Sequence, residues 1–194
     1  TQQLVVAVSD LLADEANRLV IGRGDGSGVL YYTAYLNVYL PVPEIEALDR
    51  GIIVERRYTL LGSDEAISEG HVGDVVQVHL SVIAPNDLHY VVIDDPIPAG
   101  SEGVDPNLST SQQIGTQPGL DVTDPLAYGW GWWYFSNIEF HDERVLLYST
   151  YLPAGTYEYV YTIRLGLAGT YNVIPPTAQE FYLPEVYGRG AGSS

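Results

Sequence analysis

The densest group of side chains that could bind a ligand is the aromatic run Gly129–Phe135, of sequence GWGWWYF. Exposed indole rings stack on sugars and anchor protein partners, so Trp130, Trp132 and Trp133 are candidate surface-interaction residues. The same rings could instead fill a hydrophobic core, with the two glycines of the run allowing close backbone approach. The sequence leaves both interpretations open.

Two acidic segments could be taken for metal sites, but their patterns fit solvated surface better. His141–Arg144 (HDER) lacks the spacing of a helical ligand pair, and neighbouring residues on a strand point to opposite faces. Asp94 and Asp95 supply two carboxylates, whereas calcium takes about six to eight oxygen ligands. We therefore predict local ion pairs at these places, and neither a metal nor a cofactor.

Residues for catalysis are equally sparse. The four histidines are scattered, and none lies in a recognisable nucleophile context. The sequence has no Gly-x-Ser-x-Gly elbow, and without cysteine or lysine it can form neither a thiol nucleophile nor a Schiff base. We predict that this chain is not an enzyme.

Composition narrows the class of protein further. The 194 residues carry a formal net charge of −17, and all 8 basic residues are arginine. Binding to a nucleic-acid backbone requires clustered cations, so this charge argues against a nucleic-acid partner. No apolar stretch approaches the roughly 20 residues of a membrane span, and no signal peptide is visible. Because the chain begins at Thr1 rather than methionine, we expect a mature chain or an excised fragment.

Alternation with a period of two residues dominates the elements that would position these groups. It is clearest in Val29–Leu40, Val76–Val82 and Tyr157–Leu165. Further short strands are predicted at Ile52–Thr59, Tyr90–Asp94, Ile138–Phe140, Val145–Tyr148 and Tyr171–Ile174. Only Ser9–Leu19 has a helical pattern. Many short strands without interleaved helices predict an all-β fold, an antiparallel β-sandwich of immunoglobulin- or fibronectin-like architecture.

Two further segments bear on this sandwich. Leu152–Tyr157 (LPAGTY) has the leucine, glycine and tyrosine spacing of a tyrosine corner, in which the phenol oxygen bonds to backbone just upstream. The polar stretch Ser101–Tyr128 predicts a long excursion between two strands, and loops of that length are usually functional or mobile.

Several short segments matter through their order rather than singly. They are Val29–Tyr32 (VLYY), Val54–Tyr58 (VERRY), Val72–Val78 (VGDVVQV), Asp87–Gly100 (DLHYVVIDDPIPAG), Phe140–Val145 (FHDERV), Leu152–Tyr157, Pro175–Ala178 (PPTA) and Phe181–Arg189 (FYLPEVYGR). In this order, from about Ala16 to Arg189, the chain closely resembles the bacterial alpha-2-macroglobulin family, in its last macroglobulin-like domain after the thioester domain.

This resemblance implies a mechanism that composition does not show. Members of the family are large exported proteins that trap proteases: a bait region is cut, the molecule rearranges, and a buried Cys–Gln thioester is exposed to lysines of the protease. The last domain, a macroglobulin-like β-sandwich, packs against the thioester domain and helps to keep water from the bond. An aromatic or apolar pair beside a near-terminal Pro-Glu motif lies close to the thioester. The matching positions are Phe181 and Tyr182, and Tyr187 is a further docking candidate.

The resemblance thus predicts a C-terminal, non-catalytic domain of a protease-trapping inhibitor. Its partners would be the thioester domain and neighbouring macroglobulin-like domains of the same chain, with proteases met only through the full-length protein. A carbohydrate- or surface-binding sandwich that uses the Trp130–Trp133 cluster is the alternative. We expect export to the periplasm, the cell surface or the extracellular space, with a lipid anchor on the parent protein as one option.

The expected domain organisation has three parts. Residues 1–28 form a lead-in segment from the preceding domain, with a short helix. Residues 29–187 form the sandwich, and residues 188–194, which are rich in glycine and serine, form a flexible tail.

Overall fold

A computed structural model of the chain describes residues 6, 10–12, 15, 17–29, 31–32, 39–104 and 135–194. The chain divides into two compact units, Thr1–Val38 and Tyr39–Ser194. In the first unit, Leu12 and Asn17 exchange two hydrogen bonds of 2.9 Å each. The predicted helix Ser9–Leu19 is not supported, because none of its described residues (10–12, 15 and 17–19) is in an α-helix. Most of the predicted strand Val29–Leu40 lies outside the described residues.

The second unit is built from short antiparallel strands in two sheets. After a 3-10 turn at Val42–Glu44, its strands are β1 (Leu48–Arg50), β2 (Ile53–Leu60), β3 (Val75–Ala84), β4 (Leu88–Pro96), β5 (Ser101–Val104), β6 (Asn137–Phe140), β7 (Arg144–Leu152), β8 (Gly155–Leu165), β9 (Thr177–Glu180) and β10 (Tyr187–Arg189). One sheet has the order β1-β10-β9-β4-β7-β6, and the other has the order β2-β3-β8-β5. The predicted all-β antiparallel sandwich is confirmed. Within the part of the chain that the structure describes, no helix is long and apolar enough to cross a membrane.

The core lies between the sheets and follows the two-residue alternation. Every second residue of β3, from Val76 to Ala84, is buried, and the intervening residues are partly exposed. The buried members of β4, β7 and β8 include Val91, Ile93, Val145, Leu147, Tyr157, Tyr159, Tyr161 and Ile163. Full burial of one such side chain stabilises the fold by about 1.5–3 kcal/mol, so the facing rows supply the main driving force for this packing.

The tyrosine corner is also confirmed. The Tyr157 hydroxyl donates a hydrogen bond of 2.6 Å to the Pro153 carbonyl oxygen, across the turn between β7 and β8. Tyr157 is buried. The bond therefore fixes the corner and gives the buried phenol a hydrogen-bond acceptor.

Three parts of the chain differ from the sequence prediction. The strand predicted at Tyr171–Ile174 is wrong: it is reduced to one bridge between Val173 and Ser193, because the two prolines that follow lack the N–H groups of a ladder. Ser101–Val104, assigned to the long excursion, forms β5 and pairs with β8.

The last difference concerns the glycine-rich end of the chain, which was expected to be a flexible tail. Gly188 belongs to β10, and the Gly190 N–H donates to the Pro176 carbonyl at 2.9 Å. A Cβ atom on Gly188 would lie 2.2 Å from the Ile52 carbonyl oxygen. At this position glycine is required for close approach of two backbones, which the composition alone does not distinguish from flexibility.

Candidate docking surface

The turn between β9 and β10 presents the two aromatic residues singled out by the sequence. The Val186 N–H donates to the Leu183 carbonyl at 2.9 Å, with Pro184 in the second position of this four-residue turn. Proline favours that position because its ring presets the backbone angle φ. Phe181 and Tyr182, which precede the turn, are 63% and 74% exposed. The chain therefore holds two large rings out to solvent.

The base of this turn is fixed to β4 by two hydrogen bonds. The Phe181 N–H donates to the Tyr90 carbonyl at 2.8 Å. The Glu180 side chain, which is buried, accepts a hydrogen bond of 2.6 Å from the His89 N–H. The two rings are thus exposed, but the backbone that carries them is anchored to a central strand.

Three rings form a contiguous cluster at this end of the six-stranded sheet. The Tyr90 and Tyr182 rings meet edge to face, with centroids 5.1 Å apart and planes at 86°. Phe181 and Tyr182 also meet edge to face at 5.1 Å. Such pairs contribute about 0.5–1.5 kcal/mol beyond the burial of their area. We call Tyr90, Phe181 and Tyr182 the aromatic cluster.

Beside the aromatic cluster lies a shallow groove of about 270 Å³ on the outer face of the six-stranded sheet. The groove lies between the cluster and side chains of β4 and β7, among them Val92, Tyr148 and Thr150. Its walls are largely aromatic and aliphatic, which suits contact with an apolar surface.

Tyr187, the third docking candidate, is placed on the same outer face. The strand registers join Tyr187 to Gln179, Gln179 to Val92, and Val92 to Tyr148. Cross-strand partners point to the same side of a sheet, and the neighbours of this row, Ala178, Ile93 and Leu147, are buried in the core. The row from Tyr187 to Tyr148 is therefore the outer one. Tyr187 itself is half-buried.

The tryptophan candidates Trp130, Trp132 and Trp133 lie outside the described residues. Phe135, which ends the same aromatic run, is buried and meets the Tyr159 ring edge to face at 6.1 Å. For this one ring, the interpretation as a core residue holds.

The main electrostatic feature of the interior was missed by the sequence reasoning. Arg56 of β2 and Asp95 of β4 form an ion pair between the sheets, with side chains 4% and 0% exposed. Arg56 also donates to the Pro96 carbonyl at 2.9 Å and to the Ile174 carbonyl at 2.8 Å. The Tyr161 hydroxyl donates to Asp95 at 2.8 Å. Each charge is thus compensated by an opposite charge and by hydrogen bonds, as burial requires.

Burial dominates the titration of this polar centre. It raises the pKa of Asp95, while Arg56 and the Tyr161 hydroxyl act in the opposite direction. Burial also raises the pKa of Tyr161 and of Tyr58, whose ring stacks under the Arg56 guanidinium at 5.3 Å. Burial lowers the pKa of Arg56, but Asp95 and the two phenols outweigh it, and the net shift is upward. Both phenols are therefore neutral and Arg56 is charged at physiological pH.

The two-residue alternation of the sequence could have indicated that Arg56 and Asp95 point into the core. Arg56 stands two residues from the buried Val54, and Asp95 stands two residues from the buried Ile93, so each occupies an inward position. Two opposite charges at inward positions of facing strands indicate a buried pair.

The two acidic segments that could be taken for metal sites form ion pairs. Asp94 and Asp95 both lie in β4, and the Arg144 guanidinium donates a hydrogen bond of 2.9 Å to Asp94. The predicted local ion pairing at His141–Arg144 is confirmed by the contact of Arg144 with Glu143 at 3.1 Å, and His141 Nε2 lies 3.3 Å from Glu139 Oε2.

Thr59, His79 and Glu158 are connected like the hydroxyl, imidazole and carboxylate of a hydrolase triad, but the hydroxyl is not accessible to a substrate. His79 Nε2 lies 3.1 Å from Thr59 Oγ1, and His79 Nδ1 lies 3.1 Å from Glu158 Oε1. A hydrolase would need the hydroxyl to reach a substrate carbonyl. Thr59 is 0% exposed, so no substrate can approach it in this arrangement. Within the described residues, no group of three or more acidic or histidine side chains is arranged to hold a metal ion.

Comparison with known proteins gives consistent matches. A family model described as the bacterial alpha-2-macroglobulin MG10 domain matches residues 51–185. The chain is 27% identical to an alpha-2-macroglobulin homolog of Nostoc sp. in an alignment of 194 positions that covers 90% of this chain and 9% of that protein. It is 28% identical to alpha-2-macroglobulin of Escherichia coli in an alignment of 155 positions that covers 77% of this chain and 9% of that protein.

Similarity extends to solved structures. The crystal structure of native Escherichia coli alpha-2-macroglobulin, spanning domain MG7 to the C-terminus, superimposes with a TM-score of 0.61 and 26% identity. The match covers 76% of this chain and 23% of that chain. The chain itself spans about a tenth of the length of the two bacterial relatives named above. The family model matches residues 51–185, which is more than half of the chain and includes strands β2 to β9. The chain therefore belongs to the bacterial alpha-2-macroglobulin family, as an MG10 domain.

Proposed function

We propose that this MG10 domain docks on the thioester domain of its own parent chain through Phe181, Tyr182 and Tyr187, and shields the thioester from water. The parent would be an exported protein that traps proteases, in the periplasm or at the cell surface. The chain follows the thioester domain in this proposal and performs no catalysis. It contains no cysteine, so the thioester would be made elsewhere in the parent chain.

The observation that carries this proposal is the exposure of rings on an anchored backbone. Phe181 and Tyr182 are mostly exposed, yet hydrogen bonds to Tyr90 and His89 fix the residues that carry them. A rigid, exposed aromatic surface loses little entropy when it is covered, which favours docking. Tyrosine also suits interfaces between domains, because its ring is apolar and its hydroxyl remains able to bind water.

Shielding follows from the chemistry of a thioester. The bond hydrolyses when water reaches it, and a site closed by packed rings excludes water. The aromatic cluster has the size and apolar character for this role, and the adjoining groove gives a partner surface room to interlock.

The test uses the full-length parent protein and the variant Tyr182→Ala. We would measure the release of free thiol with a thiol reagent, and the incorporation of methylamine, before any protease is added. Removing the ring opens a path for water, so thiol release should accelerate about tenfold or more, equivalent to about 1.4 kcal/mol of lost docking. Phe181→Ala should have the same direction of effect.

Leu167→Ala is the matched control. Leu167 is an exposed apolar residue that follows β8, and its N–H donates a hydrogen bond to the Gly100 carbonyl. Gly100 follows the C-terminal end of β4, whereas Tyr90 lies near its N-terminal end. Leu167 therefore lies at the end of the sandwich opposite to Tyr182. Its replacement should leave thiol release at the wild-type rate. The proposal is wrong if Tyr182→Ala and Leu167→Ala release thiol at the same rate. It is also wrong if the denatured wild-type parent releases no thiol, because the parent would then contain no thioester to shield.

A further inference from the structure

Tyr90 has an unusual backbone conformation for its place in the fold. Its φ is 53°, and within the described residues it is the one non-glycine residue with a positive φ. This left-handed conformation is uncommon for residues other than glycine, asparagine and aspartate, and it is strained for a bulky side chain. Tyr90 lies inside β4, in which no other residue has a positive φ. A strained residue in such a place suggests a function that the strain serves.

The local consequence is a break in the alternation of β4. Leu88 and Val91 are buried, whereas the two residues between them, His89 and Tyr90, are both exposed. In a regular strand, one residue of this pair would face the core. The left-handed residue turns the Tyr90 ring outward without shifting the rest of β4 out of register with β7, where Val91 pairs with Ser149.

Two contacts connect Tyr90 to the docking turn. The Tyr90 carbonyl accepts the Phe181 N–H at 2.8 Å, and the Tyr90 ring meets the Tyr182 ring edge to face at 5.1 Å. The same residue therefore fixes the backbone at the start of the turn and one side of the Tyr182 ring. The hydroxyl of Tyr90 takes no part in either contact.

We propose that Tyr90 is a positioning residue for Tyr182: its left-handed backbone and its ring hold the Tyr182 ring in the orientation that docks on the thioester domain. This inference rests on the proposed shielding function. Tyr90 acts through Tyr182 and need not contact the thioester. Its role predicts an effect on thioester lifetime that disappears when Tyr182 is absent.

The test is a double-mutant cycle in the full-length parent protein, read out as thiol release without protease. Tyr90→Ala should accelerate release about three- to tenfold, less than Tyr182→Ala, because the docking ring is still present but less well oriented. The double variant Tyr90→Ala/Tyr182→Ala should release thiol no faster than Tyr182→Ala alone, since interacting residues are not additive. Tyr90→Phe retains the ring and should behave as the wild type.

Tyr90→Gly separates positioning from stability. Glycine adopts a positive φ without strain, and this relief offsets the loss of the ring contact. The variant should therefore melt close to the wild-type temperature and still release thiol faster. A merely structural role would move both quantities in the same direction. Additive effects of Tyr90→Ala and Tyr182→Ala, or wild-type release by Tyr90→Gly, would overturn the inference and leave the shielding function intact. An inert Tyr182→Ala would overturn the shielding function, and this inference with it.

Discussion

Replacing Tyr58 by phenylalanine tests the polar centre of the sandwich in alkaline solution. The Tyr58 hydroxyl is buried and, within the described residues, has no hydrogen-bond partner, and burial raises the pKa of this phenol above its usual value. In the unfolded chain a tyrosine ionises near pH 10. Above that pH the unfolded chain releases a proton that the folded chain retains. A raised native pKa therefore means stability that is complete below about pH 10 and is lost as the pH rises toward the native value.

The size of the effect follows from proton linkage. One retained proton lowers the free energy of unfolding by about 1.36 kcal/mol per pH unit in this window. Tyr58 and Tyr161 are both shifted upward, so together they give a slope of about 2.7 kcal/mol per pH unit. By about pH 11.5, some 1.5 units above the unfolded pKa, Tyr58 alone accounts for a loss of about 2 kcal/mol. Tyr58→Phe should remove that share.

The assay is urea unfolding of the 194-residue chain at a series of pH values from about 8 to 11.5. Near neutral pH, Tyr58→Phe should be at least as stable as the wild type, because it removes a buried hydroxyl without a partner. Its alkaline slope should be about half of that due to the two phenols. Tyr39→Phe, which alters an exposed ring, is the matched control and should keep the wild-type slope. Equal slopes for Tyr58→Phe and the wild type would refute the assignment of the shift to this phenol.

Two further changes test the interior. Asp95→Ala leaves the Arg56 charge buried without its partner and should lower the free energy of unfolding by about 3–5 kcal/mol. The double variant Arg56→Met/Asp95→Leu should recover most of that loss. Urea unfolding measures both variants, and equal losses would contradict the reasoning. Tyr157→Phe removes the hydrogen bond to the Pro153 carbonyl and should lower the free energy of unfolding by about 0.5–1.5 kcal/mol. The melting temperature should fall accordingly. An unchanged melting temperature would mean that the corner does not depend on this bond.

Much of the fold could be predicted because one face of most strands is apolar. The alternation in β3 indicated which side chains point inward, and these residues are the buried ones. In β8 the predicted inner residues Tyr157, Tyr159, Tyr161 and Ile163 are buried, but Val160 and Thr162 of the other face are buried as well. The corner at Tyr157 could be predicted because it depends on a local spacing. Strands β1, β9 and β10 have three or four residues, which is too short for a period-two pattern to be recognised, so their pairing depends on partners distant in sequence.

The candidate site divides in the same way. The ordered motifs near the end of the chain pointed to Phe181 and Tyr182, and the structure places both on an exposed turn. The left-handed backbone of Tyr90 could not be predicted, because this conformation is uncommon for tyrosine and the residue that bonds its carbonyl, Phe181, is distant in sequence. Arg56 and Asp95 could have been found from their inward positions, but charged residues are rarely buried, and composition favours a surface assignment.

The fork of Arg56 has a mechanical consequence. Apolar side chains in a sandwich permit one layer to slide a little over the other, because contacts between methyl groups have no direction. Arg56 reaches from one layer to Asp95 and Pro96 in the other, and to Ile174 in the connection between β8 and β9. Hydrogen bonds weaken steeply when their angle changes, so this fork sets the lateral offset of the layers. A force applied to one sheet is thereby transmitted to the other through these bonds.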